Sequence, residues 1–422
     1  MRPSRGRKKI LLSNRLAFGL VFVVVNLHIL RNLAALPYLT VYAITVAWVL
    51  TRLIGKKPIV KMNVPTLWVL LSIFGFMTTA VISGSFAGAF GLVRFLFAFP
   101  IFLALAAFSE TLDDVQDHMR TMVMVFAIGC LSVPLQFVTG PIAFFAADAE
   151  RAGIDRYASV FGSLTSLGVA AGSYIALSHG LPGRTRILST LSISIGGIAS
   201  LSKAAIANIA LGLLTGPLSG RKRLGRATFG LIFSVMLLVA AVWQSESLSR
   251  SLRATAISFG VDSGVKTNDL SFTASAIDRL TRLPMENWAG LEALGSPLAY
   301  LTGGGFGMAS TALVPAEASL APMAHNQFAE FVSVFGVVGG GAFVGICILL
   351  GLRLLRRWRN EPYPFSGPAF FAFAMWTTNS FFANGTAYQP SMASVLFFCM
   401  FVAILGARAE ESATHVSQKN WE

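Results

Sequence analysis

The chain has 422 residues, 55% of them hydrophobic and only 12% charged, with a mean hydropathy of +0.68. Soluble domains carry about 25% charged residues, so this composition excludes an ordinary soluble enzyme and points to an all-α, polytopic membrane chain. Lys and Arg outnumber Asp and Glu by 33 to 19, a net charge of +14, but the basic residues are scattered over separate short loops, which argues against a nucleic-acid surface.

A helix crosses the hydrocarbon core in about 20 apolar residues and satisfies its own backbone hydrogen bonds there. In chain order the apolar runs predict about twelve spans, at 16–33, 36–54, 66–84, 90–108, 118–138, 158–177, 187–201, 204–218, 228–243, 328–354, 367–382 and 392–406. A basic leader precedes the first run, but no cleavage site follows and the second run comes at once, so the first span is retained. Arg94 stands inside the fourth run, and Lys203 joins the short seventh and eighth, which are close enough to form one re-entrant hairpin. An ionised side chain in a span costs about 2.5–3.5 kcal/mol, so both are candidates to line a cavity, although Lys203, unlike the central Arg94, could instead snorkel to the interface. Cys130, Cys347 and Cys399 fall inside predicted spans with neither metal-ligand spacing nor a disulfide framework.

Charge placement orients the chain. Arg2 to Lys9, Lys56, Lys57, Lys61, Arg184, Arg186, Arg221 to Arg226 and Arg353 to Arg359 all fall on one side if the spans alternate. The positive-inside rule makes that side, and both termini, cytoplasmic. Residues 1–243 then form an N-terminal bundle of about nine spans, 244–324 a large outer loop, and 325–422 about three further spans and a tail. Trp288, Leu291, Leu294 and Tyr300 have helix-like spacing, so short helices are expected to make the outer loop a small cap.

His325-Asn326-Gln327-Phe328 opens the tenth span where the outer loop ends, and Gly336 and Gly339 follow. An imidazole there is suited to take a proton from a hydroxyl near neutral pH. The plainer alternative is a helix start, because Asn is a good N-cap. Outward-facing arginines run against the topology rule. Arg151, Arg156, Arg279 and Arg282 could together hold a pyrophosphate through planar, permanently charged forks, or could pair with Glu150, Asp155 and Asp278. The run Gly303-Gly304-Gly305-Phe306-Gly307 has backbone amides that can face an anion, yet it lacks the Lys-Ser/Thr of a phosphate loop; a plain turn is an equal reading. Asn384-Gly385-Thr386 reads as a turn.

These pieces resemble the O-antigen ligase and polysaccharide polymerase superfamily of bacterial envelopes. His325-Asn326, nine residues, Gly336, two residues and Gly339 match the ligase pattern, which continues with Thr or Val where Gly340 stands here. Arg156 before Phe161-Gly162 resembles the arginine at the start of the family's central span. Leu201-Ser202-Lys203-Ala204-Ala205 looks like its Ser-Arg-Gly-Ala segment with Lys for Arg. The Gly303–Gly307 run is similar to the glycines before its histidine, and Arg279 or Arg282 to its second arginine. The resemblance implies a metal-independent glycosyltransferase of the bacterial inner membrane that needs no cofactor. It would move glycan from an undecaprenyl-pyrophosphate donor to a glycan or lipid-linked acceptor hydroxyl at the periplasmic face. His325 and Asn326 would be catalytic, Arg156, Arg279, Arg282 and Arg151 would bind pyrophosphate, and Arg94 and Lys203 would line the cavity. The implied partners are membrane lipids, a chain-length regulator and a flippase. A polymerase is the favoured member, a ligase to lipid A-core the next; from another class, a flippase or transporter would share the span pattern, and a noncatalytic scaffold is a third option.

Overall fold

The computed structural model describes residues 5–54, 59–60, 62–83, 87–145, 157–162, 164–200, 202–219, 278–309, 324–361 and 363–405. Among these the chain is all-helical, with two isolated β-bridges and no strand. Five helices are long and apolar enough to cross a membrane: Ala35–Leu53, Asn63–Ile82, Gly88–Phe108, Leu112–Thr139 and Gln327–Asn360. Four shorter apolar helices accompany them. Many large apolar side chains point outward, among them Leu36, Ile44, Val81, Val93, Leu188 and Ile198. Water would not tolerate so much exposed apolar surface on a monomer, whereas acyl chains would. This is a helical membrane protein.

The first half contains α1 (Arg5–Asn26), α2 (Ala35–Leu53), α3 (Asn63–Ser83), α4 (Ala87–Leu96) and α5 (Pro100–Phe108). It continues with α6 (Leu112–Cys130), α7 (Ser132–Thr139), α8 (Leu164–Ser178), α9 (Gly183–Ala199) and α10 (Lys203–Ser219). The helices of the loop before the tenth span are α11 (Arg282–Glu292) and α12 (Pro297–Thr302), followed by a 3₁₀ turn at Gly305–Met308. The chain ends with α13 (Gln327–Asn360), α14 (Ser366–Ser380) and α15 (Pro390–Ala403). α8 lies at the centre, packed on α6, α9, α10, α14 and α15. Small residues let α8 and α10 approach closely: a Cβ on Gly172 would fall 2.5 Å from the Asn208 carbonyl oxygen.

Several spans differ from the hydropathy pattern. The fourth is broken at Phe97–Phe99 into α4 and α5, because Pro100 has no N–H to give and crowds the carbonyl four residues back. The fifth starts six residues earlier than its apolar run. Thr111 and Asp114 form a capping box, with Asp114 Oδ2 accepting from the Glu110 and Thr111 amides at 2.9 Å each. Hydropathy cannot register a polar first turn that caps itself. The tenth span is interrupted at Gly336, whose φ of 69° and ψ of −178° are not helical. The seventh and eighth form a helical hairpin, α9 and α10, of 17 residues each. The ninth, at 228–243, lies outside the described residues.

The described part of this loop is built into the bundle. Phe306 is fully buried, inserted between α3, α4 and α13. Glycines make its slot, since a Cβ on Gly91 would fall 2.5 Å from the Phe306 ring and one on Gly75 3.0 Å. There Phe306 joins an aromatic cluster with Phe95 and Phe335, ring centroids 5.9 and 6.0 Å away, which continues to Trp68 stacked on Phe95 at 4.8 Å. A buried aromatic of this size contributes several kcal/mol to a folded core, about 3–5 kcal/mol on truncation to Ala.

Candidate functional site

The tenth span begins with Asn326, whose Oδ1 accepts from the amides of Phe328 and Ala329 at 3.0 and 3.1 Å. Asn326 is therefore a working N-cap, and its side chain is committed to the backbone rather than to His325. His325 precedes it with φ of 51°, the one non-glycine with positive φ among the described residues. A left-handed conformation costs an L-residue about 1–2 kcal/mol, and such strain survives only where the surroundings fix it. The buried Ala324 on one side and the hydrogen-bonded cap on the other supply that restraint.

His325 is half-buried. Burial first, and then the nearby Arg279 cation, hold its imidazole below the ordinary value of 6.5. The ring is thus neutral at pH 7, the form that can accept a proton. Arg279 is also half-buried and donates to the Phe382 carbonyl at 2.9 Å, which ties the loop before α11 to the turn between α14 and α15. Arg282 is placed differently. It points to solvent and forms a two-pronged pair with Asp278, Nε–Oδ1 3.1 Å and Nη2–Oδ2 3.2 Å, plus a contact with Glu286 at 2.8 Å. The Arg282 hydrogen bonds hold the Asp278 carboxyl below its usual range.

Beneath His325 lies a polar lock that the sequence patterns did not single out. Glu330, 1% exposed, accepts from Tyr388 Oη at 2.9 Å and from Gln327 Nε2 at 3.0 Å. Gln327 Oε1 in turn accepts from the Ala387 amide at 3.3 Å, and Thr386 bonds Ser380 at 2.7 Å. The 381–389 turn is thereby fixed to the first turn of α13. Its Asn384-Gly385-Thr386 is indeed a turn, with Gly385 at φ of 80° and Thr386 buried. An acid four residues after a cap, inside an apolar helix, was the available signal for Glu330.

Arg94 is half-buried in α4, within electrostatic reach of Tyr388 and Arg31, so it belongs to the same end of the bundle. His28 joins them from the turn after α1. Its Nδ1 contacts the Asn26 carbonyl at 3.2 Å, and its ring fills the space where a Cβ on Gly162 would sit, 3.2 Å away. Phe161 is buried and stacked on Phe126 at 5.1 Å. Arg151 and Arg156 lie outside the described residues, as does the Lys203 side chain.

The glycine run is structural rather than a ligand loop. Gly303, Gly304, Gly305, Phe306 and Gly307 are all buried. The Gly304 amide donates to the Ser333 carbonyl at 2.8 Å, and the Phe306 amide to Thr79 Oγ1 at 2.7 Å. With those amides used internally, no anion-binding face is left at these two positions. Gly336 admits this loop, while Gly339 lies against Phe335 of its own helix.

Compared with known proteins, the chain matches no family model and no curated relative.

Proposed function

We propose that this protein is a membrane glycosyltransferase working at the outer end of its helical bundle. It would transfer or polymerise glycan repeats from an undecaprenyl-pyrophosphate donor. The single observation that carries this reading is His325, neutral, half-buried and held in a strained backbone conformation beside Arg279. In the reaction the acceptor oxygen attacks the anomeric carbon and its proton passes to the His325 imidazole. The bond from that carbon to the phosphate oxygen breaks, and the electron pair leaves with the undecaprenyl pyrophosphate. Arg279, with Arg156, meets the charge on that leaving group. Asn326 orients His325 by capping α13, and Arg94 borders the same space.

The proposed setting is a bacterial inner membrane crossed about twelve times, with both termini cytoplasmic. Polymerase activity is preferred over ligase activity on one specific observation. A Cβ at Gly340 would fall 2.8 Å from Val332 Cα, so the Thr or Val that the ligase pattern places there would not fit this helix without a shift.

The test is reconstitution of the full chain with a lipid-pyrophosphate-linked oligosaccharide. A new glycosidic bond in the wild type, lost in His325→Ala at equal protein level, is the expected result. Movement of the lipid-linked glycan across the bilayer without bond formation would overturn it in favour of transport.

A further inference from the structure

At the opposite end of the bundle, an open groove of about 500 Å³ lies between α9 and α10. Its charged mouth is Arg186, with His179 and Thr190 beside it; its walls are Ile187, Leu191 and Leu213. Local sequence makes the hollow. Gly216 has no side chain where the His179 ring lies, 2.7 Å from the position of a Cβ, and Pro217 follows it inside α10. His179 Nε2 is held on the Gly212 carbonyl at 3.1 Å, which leaves Nδ1 as its second polar atom.

The groove has two characters. Ile187, Leu191 and Leu213 are each about half exposed, at 54, 52 and 46%. The apolar row continues along α9 through Leu188, Ile195 and Ile198, all more than a third exposed. In a membrane protein such a row faces acyl chains. At its end stand Arg184 and Arg186, both exposed, and neither forms an ion pair with any described residue. Arg120 reaches the same turn through Thr185 Oγ1 at 3.4 Å. No carboxylate of the described residues lines the groove, so none of them would meet an ammonium group there.

We propose that this groove binds an anionic glycerophospholipid, with the phosphate at Arg186 and an acyl chain along Ile187, Leu191 and Leu213. The guanidinium offers a planar fork to the phosphate, and basic pockets between helices are suited to acidic headgroups. The site is independent of glycan transfer and stands whether or not that activity does.

The test uses the purified full chain in detergent, titrated with phosphatidylglycerol or phosphatidylcholine, with retained lipid read by native mass spectrometry and stability by thermal melting. Phosphatidylglycerol should stay bound and raise the melting temperature, and phosphatidylcholine should do neither. Arg186→Gln should weaken phosphatidylglycerol binding about fivefold, the loss of one arginine near a charged headgroup. Arg186→Lys should retain most of it, and Arg353→Gln, an exposed arginine of α13, should retain all of it. Because Arg186 is exposed, its variants should fold normally. Equal retention of the two lipids, wild-type binding by Arg186→Gln, or an equal loss in Arg353→Gln would overturn the site. Equal protection by water-soluble glycerol phosphate would replace the lipid with a free phosphate ligand and overturn it too.

Discussion

Gly303 and Gly336 meet backbone to backbone. A Cβ on Gly303 would fall 2.5 Å from the Gly336 nitrogen, and one on Gly336 would fall 2.6 Å from the Gly303 nitrogen. Both have positive φ, 79° and 69°. The outer loop and the tenth span are therefore joined at the point where the span breaks.

Gly336→Ala should consequently destabilise the protein by about 2–5 kcal/mol, from left-handed strain plus overpacking. Gly341→Ala, where a Cβ would meet nothing within 4 Å, should be neutral or raise stability by up to about 1 kcal/mol through helix propensity. Thermal melting of both variants in one detergent checks the contrast. Equal melting temperatures would show that the junction does not hold the loop.

His325→Ala should reduce transfer by about 10²–10⁴-fold, the usual worth of a general base, with donor lipid accumulating. The pH profile has a definite sign. Only the neutral ring accepts a proton, and its pKa is lowered from 6.5, so the rate should fall on the acid side with a midpoint below 6.5. Arg279→Gln removes one of the two causes, so its acid limb should move to higher pH. Identical limbs in wild type and Arg279→Gln would argue against His325 as the base.

The two outer-loop arginines should separate under charge-conserving exchange. Arg279→Lys loses the planar fork at the site and should lower activity, whereas Arg282→Lys only alters solvent-facing pairs and should not. Arg156→Lys should behave like Arg279→Lys. Normal glycan chain length in both Arg156→Lys and Arg279→Lys would remove the pyrophosphate role.

Tyr388→Phe leaves the buried Glu330 side chain short of one donor, a loss of about 1–3 kcal/mol for a buried polar group left unsatisfied. The melting temperature should fall, and Glu330→Gln should recover part of the loss in the Tyr388→Phe background. A Tyr388→Phe protein as stable as wild type would mean that the lock contributes nothing.

Cysteine labelling from outside should reach a Cys placed at Ser263 and spare one at Gly220. The native thiols Cys130, Cys347 and Cys399 are buried, so background labelling should be low. The reverse pattern would invert the topology and the site with it.

The apolar runs and their spacing were enough to establish an all-helical membrane chain, because a helix in lipid needs only its own length and hydropathy to be recognised. His325-Asn326 at the head of the tenth span and the turn at Asn384–Thr386 were legible for a related reason: each is a local backbone event with its own residue preference. The choice between Arg279 and Arg282 was not. They are three residues apart in the same polar segment, and only packing against the 381–389 turn sends one to Phe382 and leaves the other in solvent. The role of the glycine run was equally hidden, since bare amides look the same whether they await an anion or, as at Gly304, the distant Ser333 carbonyl. Tyr388 reaches Glu330, and Ala387 reaches Gln327, only when the 381–389 turn packs on α13, so hydropathy could show an acid in a span but not what satisfied it. Sequence determines which segments enter the membrane because that is a balance struck by each segment with its solvent. Which polar groups share a site depends on contacts between distant segments, and those exist only in the folded chain.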